Sequence, residues 1–515
     1  MNSLRLINQA ASVANIRIMV FIIASVLVTS ASANNKETDI KLRLLINEHQ
    51  LTGKPAAHIN IPDPESQLSQ LGRDLFFFMD FGGQNDVACA SCHHPFLGGG
   101  DNLSLSVGVN AEQVDVLGQG RIHNWQGKGA IDPKSDGRPN VPRNSPTIFN
   151  ASLYKKQLFH DGRISTIIEN NKLLGIKTPD SFFGAPDINA GADLLSAQSR
   201  FPIVSINEMR GYETPSYVTN DEIRSKLEVE FLAKDKKLTN NYWLKRFRVA
   251  FNKHKAPAGE LLNFKYFSKA IAEYEKSMVL VNTPWSKYVT GDKTAISESA
   301  KQGAILFYSS LDKGGAECVA CHRGDFFTDE EFHNLAMPQI GRGVNKHAND
   351  YGRERVTRNV KDKYAFRTPS LLNIAVTGPY AHAGSYSTLT EVIKHHIDVE
   401  QAVLSYDYTL NRLPQFNNNI KQSKLAKKNT LAALDKIMRS RVSGEKHIKD
   451  VVLTKVQIRN IVDFLLSLTD PCVENRQCLK KWIPDYNTKP TNIKLLEAKF
   501  KNESLLTQSP FKVSR

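Results

Sequence analysis

Long apolar runs are missing from most of this chain. After the first thirty residues no segment is long and apolar enough to cross a bilayer, which excludes a protein built of several membrane helices. No nucleic-acid-binding motif is present either, so the formal charge of +15 calls for another explanation. Part of that excess is local: Lys421–Arg459 holds eleven Lys or Arg against three Asp or Glu, a solvated helical face or a docking face for an acidic redox partner. Strand signals are few, which predicts a mainly α fold. Acidic residues are absent before Lys36. That N-terminus has Arg5 and Arg17, an apolar run from Ile18 to Val28 and the small-x-small triplet Ala31-Ser32-Ala33. This is the pattern of a secretory signal over residues 1–33, with export to the periplasm; an uncleaved anchor is the alternative.

Cysteine is scarce, six in 515 residues, but its placement is informative. Four fall in two copies of one word, Cys89-Ala90-Ser91-Cys92-His93 and Cys318-Val319-Ala320-Cys321-His322. Cys-x-x-Cys-His is the attachment site of a c-type haem. Two thiols one turn apart add to the vinyl groups at one porphyrin edge, and the following imidazole becomes the proximal iron ligand. The rival readings, a redox dithiol or half a zinc site, do not explain two copies on an exported chain. Two covalent haems are therefore expected, with His93 and His322 as axial ligands. The other two thiols, Cys472 and Cys478, follow a turn at Pro471 and suit a disulfide in an oxidising compartment.

The stretch before each word is also repeated. Residues 67–76 read QLSQLGRDLF and residues 299–307 read SAKQGAILF. Each places a Gly, two residues, then Leu-Phe on a helical pattern ahead of the cysteines. The simplest account is a duplicated domain with an amphipathic helix, a loop and a haem word. The expected organisation is a signal peptide (1–33), an N-terminal cytochrome c-like domain (34–290), a C-terminal cytochrome c-like domain (291–470) and a polar C-terminal tail (471–515). The first domain exceeds a minimal cytochrome, so it carries long loop insertions, among them Gly98–Pro142 and Ala185–Pro215.

Several further blocks follow one another in order: CASCHHP at 89–95, PRNSPTIFN at 142–150, FHDGR at 159–163, Gln198–Met209, and FRTPSLLNIAVTGPYAHAGS at 366–385. With these blocks the chain resembles the bacterial di-haem cytochrome c peroxidase family, which includes the MauG-type enzymes. The resemblance implies a peroxide site at the first haem, with Glu208 as distal acid–base group and Gln198 orienting the peroxide. It also implies that the second haem has a far ligand fourteen residues after His382, at His396. The peroxidase members resemble one another in having Met there, and the MauG type has Tyr. A histidine pair (His322, His396) would lower the potential, and neighbouring His395 is the competing ligand. The inter-haem position, a Trp in most of the family, is His160 here. The resemblance further implies calcium held by the Asn144 side chain and the carbonyls of Thr377 and Pro379. It leaves open whether His123 caps the first iron at rest.

The function so implied is a periplasmic oxidoreductase of cytochrome c peroxidase type. It would reduce hydrogen peroxide to water with electrons from a small cytochrome c or cupredoxin, and the family suggests a homodimer. One alternative is a MauG-like enzyme that oxidises Trp or Tyr side chains of a partner protein. Another is a non-enzymatic di-haem electron carrier.

Overall fold

The computed structural model describes residues 36–500, apart from 125–138, 183, 214, 216, 239–240, 346, 417–424, 444–448 and 491. The signal peptide expected at 1–33 and the last fifteen residues of the tail lie outside the described residues. The chain is mainly helical. The helices that position the site are α1 (36–48), α2 (Gln67–Phe76), α3 (Leu194–Gln198), α4 (Asn220–Asp235), α5 (Tyr242–Ala250), α6 (Phe264–Lys276), α7 (Glu298–Tyr308), α8 (Leu389–Ile397), α9 (Ala426–Val442) and α10 (Lys455–Leu466). Their starts are signalled locally. Ser66 and Ser297 cap α2 and α7, and Thr219, Thr388 and Thr454 form capping boxes with Glu222, Glu391 and Gln457. Among the described residues no helix is long and apolar enough to cross a membrane.

Two large apolar cores organise the chain. The first gathers α2, α3, α5 and α6 around Phe76, Phe81, Trp243, Phe247 and Phe267. The second gathers α7, α8 and α10 around Trp285, Tyr308, Phe307 and Phe464. Between Leu280 and Trp285 the chain passes from the first core to the second, and Val376 returns to the first. The glycine shared by the two repeated stretches has the same task in each. α2 crosses α6 so closely that a Cβ on Gly72 would stand 1.8 Å from the Ala270 carbonyl oxygen. α7 crosses α10 in the same way, with a Cβ on Gly303 1.9 Å from the Asn460 carbonyl oxygen. Only glycine permits backbones to meet at that distance.

The chain ends depart from the contiguous grouping that the sequence suggests. α1 sits on the second core, where Leu42, Leu45 and Ile46 are buried, although it precedes the first. Arg43 donates to the Val289 carbonyl (2.9 Å), and Lys301 pairs with Asp39 (2.8 Å). The tail, expected to be polar, enters the first core through Leu479, Trp482 and Leu496. Trp482 donates its indole N–H to the Ser277 hydroxyl (2.9 Å), and Leu496 N–H donates to the Phe77 carbonyl (2.8 Å). A lysine-rich average hides these few apolar residues. Cys472 and Cys478 are bonded at the head of this segment, with Cα atoms 5.4 Å apart.

Strands are short. The longest form an antiparallel sheet of β1 (Gln157–Leu158), β2 (Ile164–Glu169) and β3 (Lys172–Lys177). β2 and β3 turn on Asn170 and Asn171, at φ 50° and 60°. This is the left-handed pair that an asparagine hairpin turn requires.

Candidate functional site

Each cysteine word folds as one tight turn. His93 N–H donates to the Cys89 carbonyl and His322 N–H to the Cys318 carbonyl, both at 3.0 Å. All four thiols are free and half-buried. Burial pushes Cys89 and Cys318 up to about 12, so as thiols they are inert nucleophiles. The imidazoles are set alike: Nδ1 of His93 faces the Gly99 carbonyl (3.3 Å), and Nδ1 of His322 faces the Phe327 carbonyl (3.1 Å). A carbonyl only accepts, so Nδ1 carries the proton and Nε2 keeps its lone pair. This is the tautomer a metal-ligating histidine needs, with its outer nitrogen tied to the backbone. Burial holds both rings neutral by lowering them to about 4. Unoxidised thiol pairs beside correctly polarised imidazoles fit a covalent haem at each word. The Ser145 hydroxyl, 3.1 Å from His93 Nδ1, donates to the Cys92 carbonyl (2.8 Å) and steadies the first word.

The block from Gln198 to Met209 forms a compact ledge. Asp193 caps α3, which ends at the half-buried Gln198. A turn at Pro202–Val204 then leads into a wide π-type turn, Ile206–Arg210, that carries Glu208. Such turns are energetically poor and recur at functional positions. This one is clamped from three sides. Val109 N–H and the Asn140 side chain donate to the Asn207 carbonyl (3.2 Å each), and Gly83 N–H donates to the Met209 carbonyl (2.8 Å). A Cβ on Gly108 would stand 2.1 Å from the Asn207 carbonyl oxygen, so the loop after the first word presses directly on this turn. Glu208 is thus fixed through its backbone, with its side chain 29 % exposed. Desolvation raises its carboxyl above the usual range, opposed chiefly by Arg163.

Asp161 and Arg163 lie in the FHDGR block at 159–163. The structure extends them into a charged chain that reaches Glu208. Asp350 binds Arg143 through two oxygens (2.6 and 2.8 Å), and Arg143 binds Asp161 (2.7 Å). Asp161 holds Arg163 (3.3 Å), whose guanidinium lies 4.0 Å from Glu208. The Arg163 guanidinium also stacks on the Phe159 ring at 3.6 Å. Arg143 holds the Asp350 carboxyl down at about 2 despite burial. A second residue outside the sequence reading is Glu275 on α6. It is 3 % exposed and raised by desolvation to about 8, a protonated acid whose charged form would act on Cys89.

Between the two words, His160 donates from Nε2 to the Asn144 carbonyl (2.9 Å), and burial lowers it to about 4. Asn144 N–H donates to the His382 carbonyl (2.8 Å), which joins Asn144 to the turn containing Thr377 and Pro379. Its side-chain NH2 is spent on the Leu103 carbonyl (2.7 Å), leaving Oδ1 as the atom for a cation. The His382 ring stacks on Phe366 at 3.7 Å. His123 is buried and held by a bridge to Ala111.

The second word has two candidate far ligands on α8, and their surroundings differ. Both ring nitrogens of His395 are engaged, Nδ1 with the Tyr386 hydroxyl and Nε2 with the Leu335 carbonyl, each at 2.7 Å. His396 uses Nδ1 on the Val392 carbonyl (2.7 Å), which directs its lone pair to Nε2. His396 also lies near enough to His322 to lower it, second only to burial. Among the described residues the one cluster of three or more potential metal-binding Cys, His, Asp or Glu side chains is Cys321, Asp329 and His333. Its thiol belongs to the second word, and its carboxylate is paired with His333 (2.8 Å).

Residues 66–294 match the family model described as di-haem cytochrome c peroxidase. The chain is 28% identical over 345 residues to the methylamine utilization protein MauG of Methylophilus methylotrophus, covering 65% of this chain and 76% of that protein. It is 28% identical over 327 residues to cytochrome c551 peroxidase of Pseudomonas aeruginosa, covering 64% of this chain and 70% of that protein. Among solved structures it shares its fold with a MauG-like protein associated with microbial copper homeostasis. That likeness has a TM-score of 0.50 and 19% identity over 81% of this chain and 95% of the other.

Proposed function

We propose that this chain, similar over residues 66–294 to the di-haem cytochrome c peroxidase family, reduces hydrogen peroxide to water in the periplasm with electrons from a small cytochrome c or cupredoxin. It is an oxidoreductase of peroxidase type, with haem c as cofactor. In this reading Cys89, Cys92 and His93 hold the first haem. Cys318, Cys321, His322 and His396 would hold the second. Bound haem supplies the redox-active iron at which the O–O bond breaks and through which electrons pass.

The observation that carries the reading is the clamped carboxyl of Glu208. Breaking O–O heterolytically needs one group that takes a proton from the near oxygen and returns it to the leaving oxygen. Desolvation raises the carboxyl above its ordinary value, and the Arg163 guanidinium opposes that rise. Gln198, ten residues earlier on the same ledge, supplies an amide to orient the peroxide. Burial keeps the His93 ring neutral, and the Gly99 carbonyl orients it through Nδ1–H. Calcium is proposed at Asn144 Oδ1 and the carbonyls of Thr377 and Pro379, a neutral oxygen set that waters would complete.

The test is a steady-state assay of the holoprotein with peroxide and a panel of reduced small cytochromes c and cupredoxins. Rapid donor oxidation, falling about 10²- to 10⁴-fold in Glu208→Gln, is the expected result. Turnover that is slow with every donor, or unchanged in Glu208→Gln, refutes the reading. One observation favours a second reading, the oxidation of Trp or Tyr side chains on a partner protein. The far ligand offered by α8 is an imidazole, which favours ferric iron and suits electron collection from a high-potential donor less well.

A further inference from the structure

A half-open cleft of about 220 Å³ lies away from Glu208, between α8 and the loop 405–413, and Tyr386 and Tyr406 form part of its wall. Behind it the aromatic rings stand in file. Ring centroids are 4.9 Å apart from Tyr408 to Tyr406 and 5.5 Å from Tyr406 to Tyr386. They are 5.4 Å apart from Tyr386 to His395 and 6.4 Å from His395 to His396. The file therefore runs from the wall of the cleft, at Tyr406, through Tyr386 and His395 to the candidate ligand of the second haem. Electron tunnelling falls off exponentially with distance, so a series of such short steps outruns one long step.

The hydrogen bonds add a direction for the proton. His395 Nε2 faces the Leu335 carbonyl, which only accepts, so Nε2 carries the hydrogen. With that hydrogen committed to Leu335, the neutral ring presents Nδ1 as its acceptor. The Tyr386 hydroxyl must then donate to Nδ1, at 2.7 Å. A phenol bonded in this way can lose an electron while its proton crosses to the imidazole, so no phenol cation forms in the interior. Core packing alone accounts for one Tyr–His bond. It does not account for the continuation through Tyr406, which is tied to the Ser385 carbonyl (2.8 Å) and edge-on to Tyr386, out to an open cleft.

We propose that Tyr386, with His395 as its proton acceptor, and Tyr406 form a one-electron relay from this cleft to His396, and that the cleft is a second site where phenolic reductants are oxidised. The proposal rests on the reading of His396 as a haem ligand and of hydrogen peroxide as the oxidant. One electron leaves Tyr386 towards His396, and the phenolic proton moves to His395 Nδ1. Tyr386 then takes an electron through Tyr406 from a phenol in the cleft and recovers its proton from His395. The phenol departs as a phenoxyl radical, its proton released to water. Two such rounds match the two electrons and two protons that convert one peroxide to two waters.

The experiment mixes ferric holoprotein with peroxide in the absence of donor and freezes it for electron paramagnetic resonance. A tyrosyl radical is expected in the unaltered protein and its loss in Tyr386→Phe, with the resting haem signals of the variant unchanged. In Tyr406→Phe the radical is expected to form but to outlast added hydroquinone, which quenches it promptly in the unaltered protein. Absence of a tyrosyl radical, its persistence in Tyr386→Phe, or prompt quenching in Tyr406→Phe overturns the relay. The ligand reading is tested separately by the resting spectrum of His396→Ala. A low-spin signal unchanged there overturns that reading, whereas its loss together with a negative radical result overturns the relay alone.

Discussion

Arg163 offers the sharpest test of how Glu208 is tuned. The perturbation is Arg163→Gln, which removes a charge 4.0 Å from the carboxylate and leaves the polypeptide around Glu208 in place. At that separation and an effective dielectric of about 20, a full pair interacts with about 4 kcal/mol. Two features reduce this. Arg163 shares its charge with Asp161 at 3.3 Å, and the Arg163 and Glu208 side chains each keep 29 % exposure. About a third of the full value remains, about 1.4 kcal/mol, which is about one pKa unit. The sign follows from the role. Glu208 acts as a base, so its carboxylate is the competent form, and loss of a neighbouring cation raises its pKa further. The acid limb of the pH profile for the second-order reaction with peroxide, measured by stopped flow, should move up by about one pH unit. Below both pKa values the rate should fall about tenfold, and the alkaline plateau should not change. Arg163→Lys, which keeps a cation there, should lie close to the parent. An acid limb that stays in place or moves down refutes both the electrostatic argument and the assignment of Glu208 as base.

Three other outcomes follow from the geometry. His396→Ala should convert the low-spin ferric signal of the second haem to high-spin, whereas His395→Phe should keep that signal. The latter should lower stability by about 1–3 kcal/mol in urea unfolding, because the Tyr386 hydroxyl and Leu335 carbonyl lose their partner. Asp350→Ala removes the bidentate partner of the buried Arg143 and should cost about 3–5 kcal/mol, read as a lower urea midpoint; an unchanged midpoint would show that the buried chain of charges contributes little. Paired Cys472→Ser and Cys478→Ser substitutions open a loop with a sequence separation of 6, worth about 2 kcal/mol by loop-closure entropy, and should lower the melting temperature under non-reducing conditions.

Features whose physics is local were the most legible in the sequence. The cysteine words are single turns, and their meaning lies in spacing alone. The repeated glycine was visible as a repeat, and its reason, the contact of Gly72 with Ala270 and of Gly303 with Asn460, came only with the packed helices. The β2–β3 hairpin was passed over although Asn170-Asn171 between two Ile- and Leu-rich runs is a turn signal. Choices that depend on tertiary partners were not legible. Spacing pointed to His396 with His395 as competitor, and what distinguishes their surroundings is Tyr386 and Leu335, which engage both nitrogens of His395. The approach of Arg163 to Glu208 was not legible, because it joins two segments far apart in the sequence. The tail was read as polar by composition, whereas burial is decided by single residues such as Trp482.

The exchange of chain ends affects how this molecule is made. A polypeptide delivered N-terminus first presents α1 before the partner it leans on exists, and its first core lacks a wall until Leu496 has crossed. The earlier cysteine word thus belongs to a half that stays unsealed until Leu496 is in place. Fragments cut between Leu280 and Trp285 would each own the other's missing piece. Such halves are reciprocal hostages, and neither reaches its finished shape except in the other's company.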